Sequence, residues 1–150
     1  MDKISETGPV QRAEAMRLFS LAPWTSLDEK TRDLADIDHT MMRGPEIGLV
    51  MLRGRMGATG NAFNVGETTV TRCTVKLASG HEGHAYVQGR NGEHAKRAAL
   101  CDALFQEQPE RLKPLLAALD AEILTARLTT SSKAAATKVD FFTMVRGEDK

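Results

Sequence analysis

The chain has no net charge, because its 20 Lys and Arg residues balance 20 Asp and Glu residues over a length of 150. It therefore lacks the overall positive field that nucleic-acid and anionic-membrane binders use. No run approaches the roughly 20 apolar residues of a membrane span. The first twelve residues lack the basic stretch followed by an apolar one that marks a secretory signal peptide. We expect one cytoplasmic domain that binds neither nucleic acid nor membrane.

Cysteine and aromatic residues are scarce. Cys73 and Cys101 have no second thiol or histidine at zinc-finger spacing, which is typical of a reducing compartment and predicts neither a disulfide nor a zinc site. The aromatic residues are one Trp, one Tyr and five Phe. The basic strands of the predicted sheet offer only Tyr86 for base stacking, which argues against a nucleic-acid-binding module.

The spacing of apolar residues predicts an α+β fold in a single domain, with helices packed on an antiparallel sheet of about four strands. The predicted segments in chain order are an N-terminal helical hairpin over 9–37, a sheet over 40–88, C-terminal helices over 92–137 and a last strand over 139–146. No repeat or low-complexity linker divides the chain.

Local signals place the boundaries of these segments. Ser26 and Glu29 fit a capping box for the second helix, and Asn91 is a suitable N-cap for a helix over 92–107. Cys73 belongs to an alternating apolar and polar pattern, which predicts a strand buried on one face only. The three predicted strands of the meander are 47–55, 67–77 and 81–88.

A glycine-rich block, RGRMGATG at 53–60, joins the first two strands. Its spacing matches neither a Walker loop nor a dinucleotide fingerprint, and it leads into a strand rather than a helix. One interpretation is a hairpin connection. The other is a loop in which Arg53 and Arg55, with the exposed amides around Gly57 and Gly60, bind an anion or a partner protein.

Three residues follow at helical spacing around the Asn91 cap: Arg90, His94 and Arg97. A helix N-terminus favours anions, so a phosphate site is one interpretation, and ordinary capping with surface charge is the other. His94 is the best candidate for acid–base chemistry, but no nucleophile or carboxylate is placed beside it by local spacing. We assign no catalytic residue. His81 and His84 fall on opposite faces of a strand, so we predict no metal site.

The last strand lies within the block VDFFTMVRG at 139–147 and carries apolar residues on both faces. Phe141 lies on one face, and Phe142 and Met144 lie on the other. Such a strand needs an apolar partner on each side, so either it is central in its own sheet or these residues form a subunit interface.

Several blocks of the chain resemble one family, the G subunit (PhnG) of the bacterial carbon–phosphorus lyase system. They are EIGLV at 46–50, RGRMGATG at 53–60, TRCTVKL at 71–77, YVQGRNGEHAKRAAL at 86–100 and VDFFTMVRG at 139–147. The resemblance implies a subunit of a core complex with the H, I and J proteins, with I as the direct partner.

The resemblance also implies an activity. In that system the G, H and I subunits, helped by an L protein, displace adenine from MgATP by a phosphonate, giving a ribose 1-phosphonate 5-triphosphate. The J subunit later cleaves the carbon–phosphorus bond by radical chemistry. MgATP is then a substrate of the complex, and no cofactor is expected in this chain. The alternative function is a self-sufficient phosphohydrolase or nucleosidase that uses His94 with Arg90 and Arg97.

Overall fold

The computed structural model describes residues 9–139 and confirms the α+β class. Its helices and strands in chain order are α1 (Pro9–Leu21), α2 (Trp24–Lys30), β1 (His39–Arg55), β2 (Ala62–Leu77), β3 (Glu82–Gln88), α3 (Gly92–Glu107) and α4 (Pro109–Ala136). Short 3-10 turns occur at Arg32–Leu34 and Met56–Ala58. No helix between residues 9 and 139 combines the length and the apolar character needed to cross a bilayer.

The sheet is an antiparallel meander in the order β1-β2-β3. It has three strands in the described part of the chain, where about four were predicted. The missing one is the predicted strand over 139–146, which lies outside the described residues except for Val139, and Val139 is not in a strand.

One face of the sheet is buried under α3, as the alternating pattern predicted. Five apolar side chains point into this layer: Cys73, Val75, Leu77, Ala85 and Val87. Gly83 lets the helix approach closely, because a Cβ at this position would overlap the carbonyl oxygen of Ala99 and lie 2.6 Å from the backbone nitrogen of Ala103. The helix backbone therefore rests directly on β3.

The helices form a second and a third layer on the sheet. α1 packs beside α3 through Ala15, Leu18 and Phe19, and α4 covers both helices. α4 contributes four buried apolar side chains at helical spacing, namely Leu112, Leu116, Leu119 and Ile123, and Leu115 is partly buried beside them. α2 is only seven residues long and packs on α3 and α4.

One of the two predicted helix caps is right and the other is wrong. The side chain of Asn91 accepts a hydrogen bond of 3.0 Å from the backbone N–H of His94, which confirms the cap of α3. The Ser26–Glu29 capping box does not form, because α2 already begins at Trp24. The Ser26 hydroxyl instead donates to Glu122 of α4 and accepts from Lys30.

Two segments project from this body. β2 pairs with β3 only from Val70 onward, so residues 49–69 form a two-stranded ribbon. We call this ribbon, together with Ile47 and Gly48 at its base, the arm. At about 3.3 Å per residue, the arm extends roughly 26 Å beyond β3. The second projection is the end of α4, where every side chain over 124–136 is exposed.

Both projections leave the body at the same end. The base of the arm lies beside the start of α3, where Pro45 is the close neighbour of Gly92. α4 runs antiparallel to α3 and passes Leu21 and Pro23 at this same end, at the level of Ile123 and Ala126. A groove of about 500 Å³ separates it from the α1–α2 corner there.

Candidate functional site

The N-terminus of α3 is the first candidate site from the sequence, and its histidine is buried. The Nε2 atom of His94 donates a hydrogen bond of 2.9 Å to the carbonyl oxygen of Phe19. The imidazole also lies against Trp24, with ring centroids 5.9 Å apart. Burial lowers the pKa of His94, and the hydrogen bond to Phe19 only partly offsets this effect. His94 is therefore a neutral donor that joins α3 to α1.

Arg97 is likewise engaged within the chain. Its Nη1 atom donates to both the carbonyl oxygen and the hydroxyl of Thr31, each at 2.8 Å. Its Nη2 atom lies 3.2 Å from the carboxylate of Asp28, and the guanidinium sits 5.9 Å from the Trp24 ring. This arginine anchors α2 and the turn after it to α3.

Arg90 differs from these two residues, because it is exposed and has no partner among the described residues. The structure thus does not gather Arg90, His94 and Arg97 into one open pocket. The sequence correctly placed all three around the cap but could not indicate that two of them face inward. Anion binding at this end of α3 stays a prediction, and Arg90 is the member of the set that is available for it.

The tip of the arm is the second candidate site, and it is an ordered turn. Gly57 adopts a left-handed conformation with φ of 58°, which glycine tolerates without strain. The backbone N–H of Gly60 donates to the carbonyl oxygen of Met56 at 2.9 Å, and Arg55 Nη1 donates to the carbonyl oxygen of Gly60 at 3.0 Å. The remaining donors of Arg55 are exposed to solvent.

Arg53 lies beside Arg55 at the rim of a shallow cavity of about 460 Å³. Arg53 is exposed and has no partner among the described residues. The tip therefore presents two guanidinium groups with no carboxylate near them in sequence, since residues 47–66 contain no Asp or Glu. Arg53 and Arg55 line this cavity, and Gly57 and Gly60 lie in the turn beside it. Their role in binding an anion or a partner stays a prediction.

The arm also carries an apolar surface that was not predicted from the sequence. Ile47 is 59% exposed and Leu49 is 64% exposed, although an apolar run such as 47–52 is typical of a buried strand. The other large apolar side chains exposed on the arm are Val50, Met51, Leu52, Met56, Phe63 and Val65. A signal was present, because residues 47–52 carry apolar side chains on both faces of the strand.

An ion pair between a half-buried arginine and a buried carboxylate lies on the other side of α3 and has a structural role. The carboxylate of Asp102 is fully buried and accepts two hydrogen bonds from Arg12, at 2.9 and 2.8 Å. It also accepts the backbone N–H of His84 at 2.9 Å. The hydrogen bonds to Asp102 raise the pKa of Arg12. The pair clamps α1, β3 and α3 together.

The two thiols are buried. Burial raises the pKa of Cys101 to about 12 and also raises the pKa of Cys73, so neither is a thiolate near neutral pH.

Residues 9–139 contain no group of three or more His, Cys, Asp or Glu side chains that could hold a metal ion. The predicted interface residues Phe141, Phe142 and Met144 lie outside the described residues.

Comparison with known proteins identifies the family. Residues 10–147 match the family described as phosphonate metabolism protein PhnG. The chain belongs to the PhnG family. A relative from Rhizobium meliloti (strain 1021) is named alpha-D-ribose 1-methylphosphonate 5-triphosphate synthase subunit PhnG. It is 42% identical over 157 aligned positions, which cover 96% of this chain and 94% of the relative.

Proposed function

We propose that this chain is the G subunit of an alpha-D-ribose 1-methylphosphonate 5-triphosphate synthase and has no activity of its own. The observation that carries this proposal is the likeness to the relative of that name, which extends over nearly the full length of both chains. The name of the relative describes it as one subunit of a synthase, so partner chains are expected here also.

The contacts around α3 favour a subunit over a self-sufficient enzyme. The alternative function needs His94 as an acid or base, but this imidazole is buried, and its Nε2 proton is held by the carbonyl oxygen of Phe19. It also needs Arg97 on a substrate phosphate, whereas this guanidinium pairs with Thr31 and Asp28. No observation favours that alternative.

In the proposed assembly, which we place in the cytoplasm, a phosphonate oxygen forms a bond to C1 of the ribose of MgATP. The bond between C1 and adenine breaks, and adenine leaves. The H, I and J proteins are the proposed companions of this chain in the core complex, with I in direct contact. MgATP and the phosphonate are substrates of the assembly, and this chain contributes no cofactor.

The exposed cations of this chain are its proposed contribution to the site. Arg90 has no partner among the described residues and lies next to the Asn91 cap, so it is able to pair with a substrate phosphate. A charged hydrogen bond of this kind contributes about 1.5–3 kcal/mol.

Co-expression with the H, I and J proteins, with the L protein present, tests the proposal through adenine release from ATP and methylphosphonate. We expect release from the complete mixture and none from this chain alone or from a mixture that omits it. Undiminished release without this chain, or release by this chain alone, would contradict the proposal.

A further inference from the structure

The segment 47–52 is an open strand edge that lacks the usual protection. β1 is at the edge of the sheet and pairs only with β2 among the described strands. Its register is regular from Ile47↔Thr71 to Leu52↔Gly66, and the irregularities fall on either side, before Glu46 and after Leu52. Bulges, prolines and charges are the features that block edge pairing, and none lies within the segment.

Both faces of this segment are also open and apolar. Ile47, Leu49 and Met51 share the face of the sheet that α3 covers farther along, but they lie beyond the helix. Val50 and Leu52 lie on the opposite face. With the exposed side chains of the rest of the arm, the apolar area is on the order of 800 Å², which is what one partner contributes to an interface of standard size.

Edge-to-edge pairing of two copies of the chain does not cover this surface. Two copies could join their β1 edges around a two-fold axis, but the joined ribbon would leave both apolar faces exposed to water. An occupant that covers the edge and both faces must enclose the arm in a cleft. The chemistry of that cleft follows from the charge of the arm, because Arg53 and Arg55 lie near its tip and its one acidic residue, Glu67, lies nearer its base.

We infer that another subunit of the synthase receives the arm in an apolar cleft. A strand of that subunit pairs with the edge 47–52, apolar side chains cover both faces of the ribbon, and carboxylates face Arg53 and Arg55. This inference rests on the proposed function, because it takes the occupant from the same assembly. The arm then binds a partner subunit during assembly, whereas Arg90, at the start of α3, binds the substrate.

A matched pair of substitutions on β1 tests the inference. Met51 and Met42 are both 54% exposed on the same strand, but only Met51 lies within the segment 47–52. Met51→Asp places a charge in the proposed cleft and should weaken binding to the co-expressed H, I and J proteins by about 30-fold or more. Met42→Asp should change the affinity less than about 3-fold, as expected of a surface position.

Hydrogen exchange supplies an independent readout in the wild-type assembly. Amides of residues 47–52 that point away from β2 should exchange rapidly in the isolated chain and become protected on assembly. Amides in the middle of α3 serve as a reference that should stay protected in both states. Unchanged exchange over 47–52, or equal binding by the two Asp variants, overturns the inference.

The outcomes separate this inference from the proposed function. An assembly containing Met51→Asp that forms normally and releases adenine refutes the role of the arm and leaves the proposed function intact. A wild-type chain that neither binds the H, I and J proteins nor supports adenine release refutes both.

Discussion

The Nε2 atom of His94 lies 2.9 Å from the carbonyl oxygen of Phe19 and ties the first turn of α3 to the last turns of α1. The carbonyl oxygen can only accept, so the ring carries its proton on Nε2. Trp24 covers the imidazole from the start of α2. One neutral ring thus joins three helices at the end of the body where the arm begins.

Protonation of His94 should destabilise the fold. Burial lowers the pKa of His94 in the folded state, so the unfolded chain binds more protons as the pH falls through the ordinary histidine value of about 6.5. The contribution of neutral His94 to the stability of the fold is therefore complete above that pH, and it is lost as the pH falls from there through the lower pKa of the folded state. His94→Gln keeps a donor near Nε2 without titrating, so urea unfolding between pH 7 and pH 5 should show a smaller loss of stability than in wild type. An identical pH dependence would show that His94 does not titrate in this range.

Arg97 should matter for stability, whereas Arg90 should not. Arg97→Ala removes charged hydrogen bonds to Thr31 and the ion pair with Asp28, so we expect the free energy of unfolding to fall by about 2–3 kcal/mol. Arg90→Ala should stay within about 0.5 kcal/mol of wild type. Urea unfolding of both variants measures the difference. Similar losses at the two positions would contradict the contacts described for Arg97.

The same Arg90→Ala variant should affect the assembled synthase. If Arg90 contacts a substrate phosphate, the affinity of the assembly for ATP should fall by about 1.5–3 kcal/mol, which isothermal titration can measure. Arg111→Ala is the matched control, because Arg111 is exposed at the opposite end of α3 and pairs there with Asp33. Equal ATP affinities for the two variants would show that Arg90 does not contact the substrate.

The buried carboxylate of Asp102 depends on Arg12. Arg12→Met leaves that carboxylate with only the His84 amide as a donor among its described contacts, and an uncompensated buried charge costs about 3–5 kcal/mol. Arg17→Met on the same helix breaks ion pairs with the exposed carboxylates of Glu14 and Asp120, so it should cost less than about 1 kcal/mol. Thermal and urea unfolding of the two variants test this contrast, and equal stabilities would refute it.

Close packing of α3 on β3 requires glycine at position 83. Gly83→Ala pushes a methyl group into the backbone of Ala99 and Ala103, so we expect a loss of about 3 kcal/mol or failure to fold. Gly66→Ala in the arm meets no atom within 4 Å and should be nearly neutral. Circular dichroism with urea unfolding distinguishes them, and a stable Gly83→Ala protein would mean that α3 can move away from the sheet.

Much of this fold could be predicted because its signals are local. The Asn91 cap and the alternation around Cys73 depend on residues near each other in sequence, and both are confirmed. The capping box at Ser26 was wrong because α2 starts two residues earlier, and Ser26 bonds to Glu122, which lies 96 positions away.

The candidate sites were harder to predict, because the exposure of each side chain depends on helices and strands that are distant in sequence. His94 has a suitable position for chemistry, but its partner Phe19 lies 75 residues away in sequence. Residues 47–52 have the composition of a buried strand, and they are exposed because α3 begins beside Pro45 and runs away from the arm. No pattern within residues 47–52 indicates where that helix lies.

The arm contributes almost nothing to the core, since no buried apolar side chain of the described chain comes from residues 47–69. Damage to it would therefore pass unnoticed in purification, melting curves and spectroscopy of the isolated chain. Screens that rank variants by solubility or thermal stability would keep such variants and would even favour those that make the arm more polar. Only a selection for growth on phosphonate, or a selection for the assembled complex, would detect that the arm no longer binds its partner.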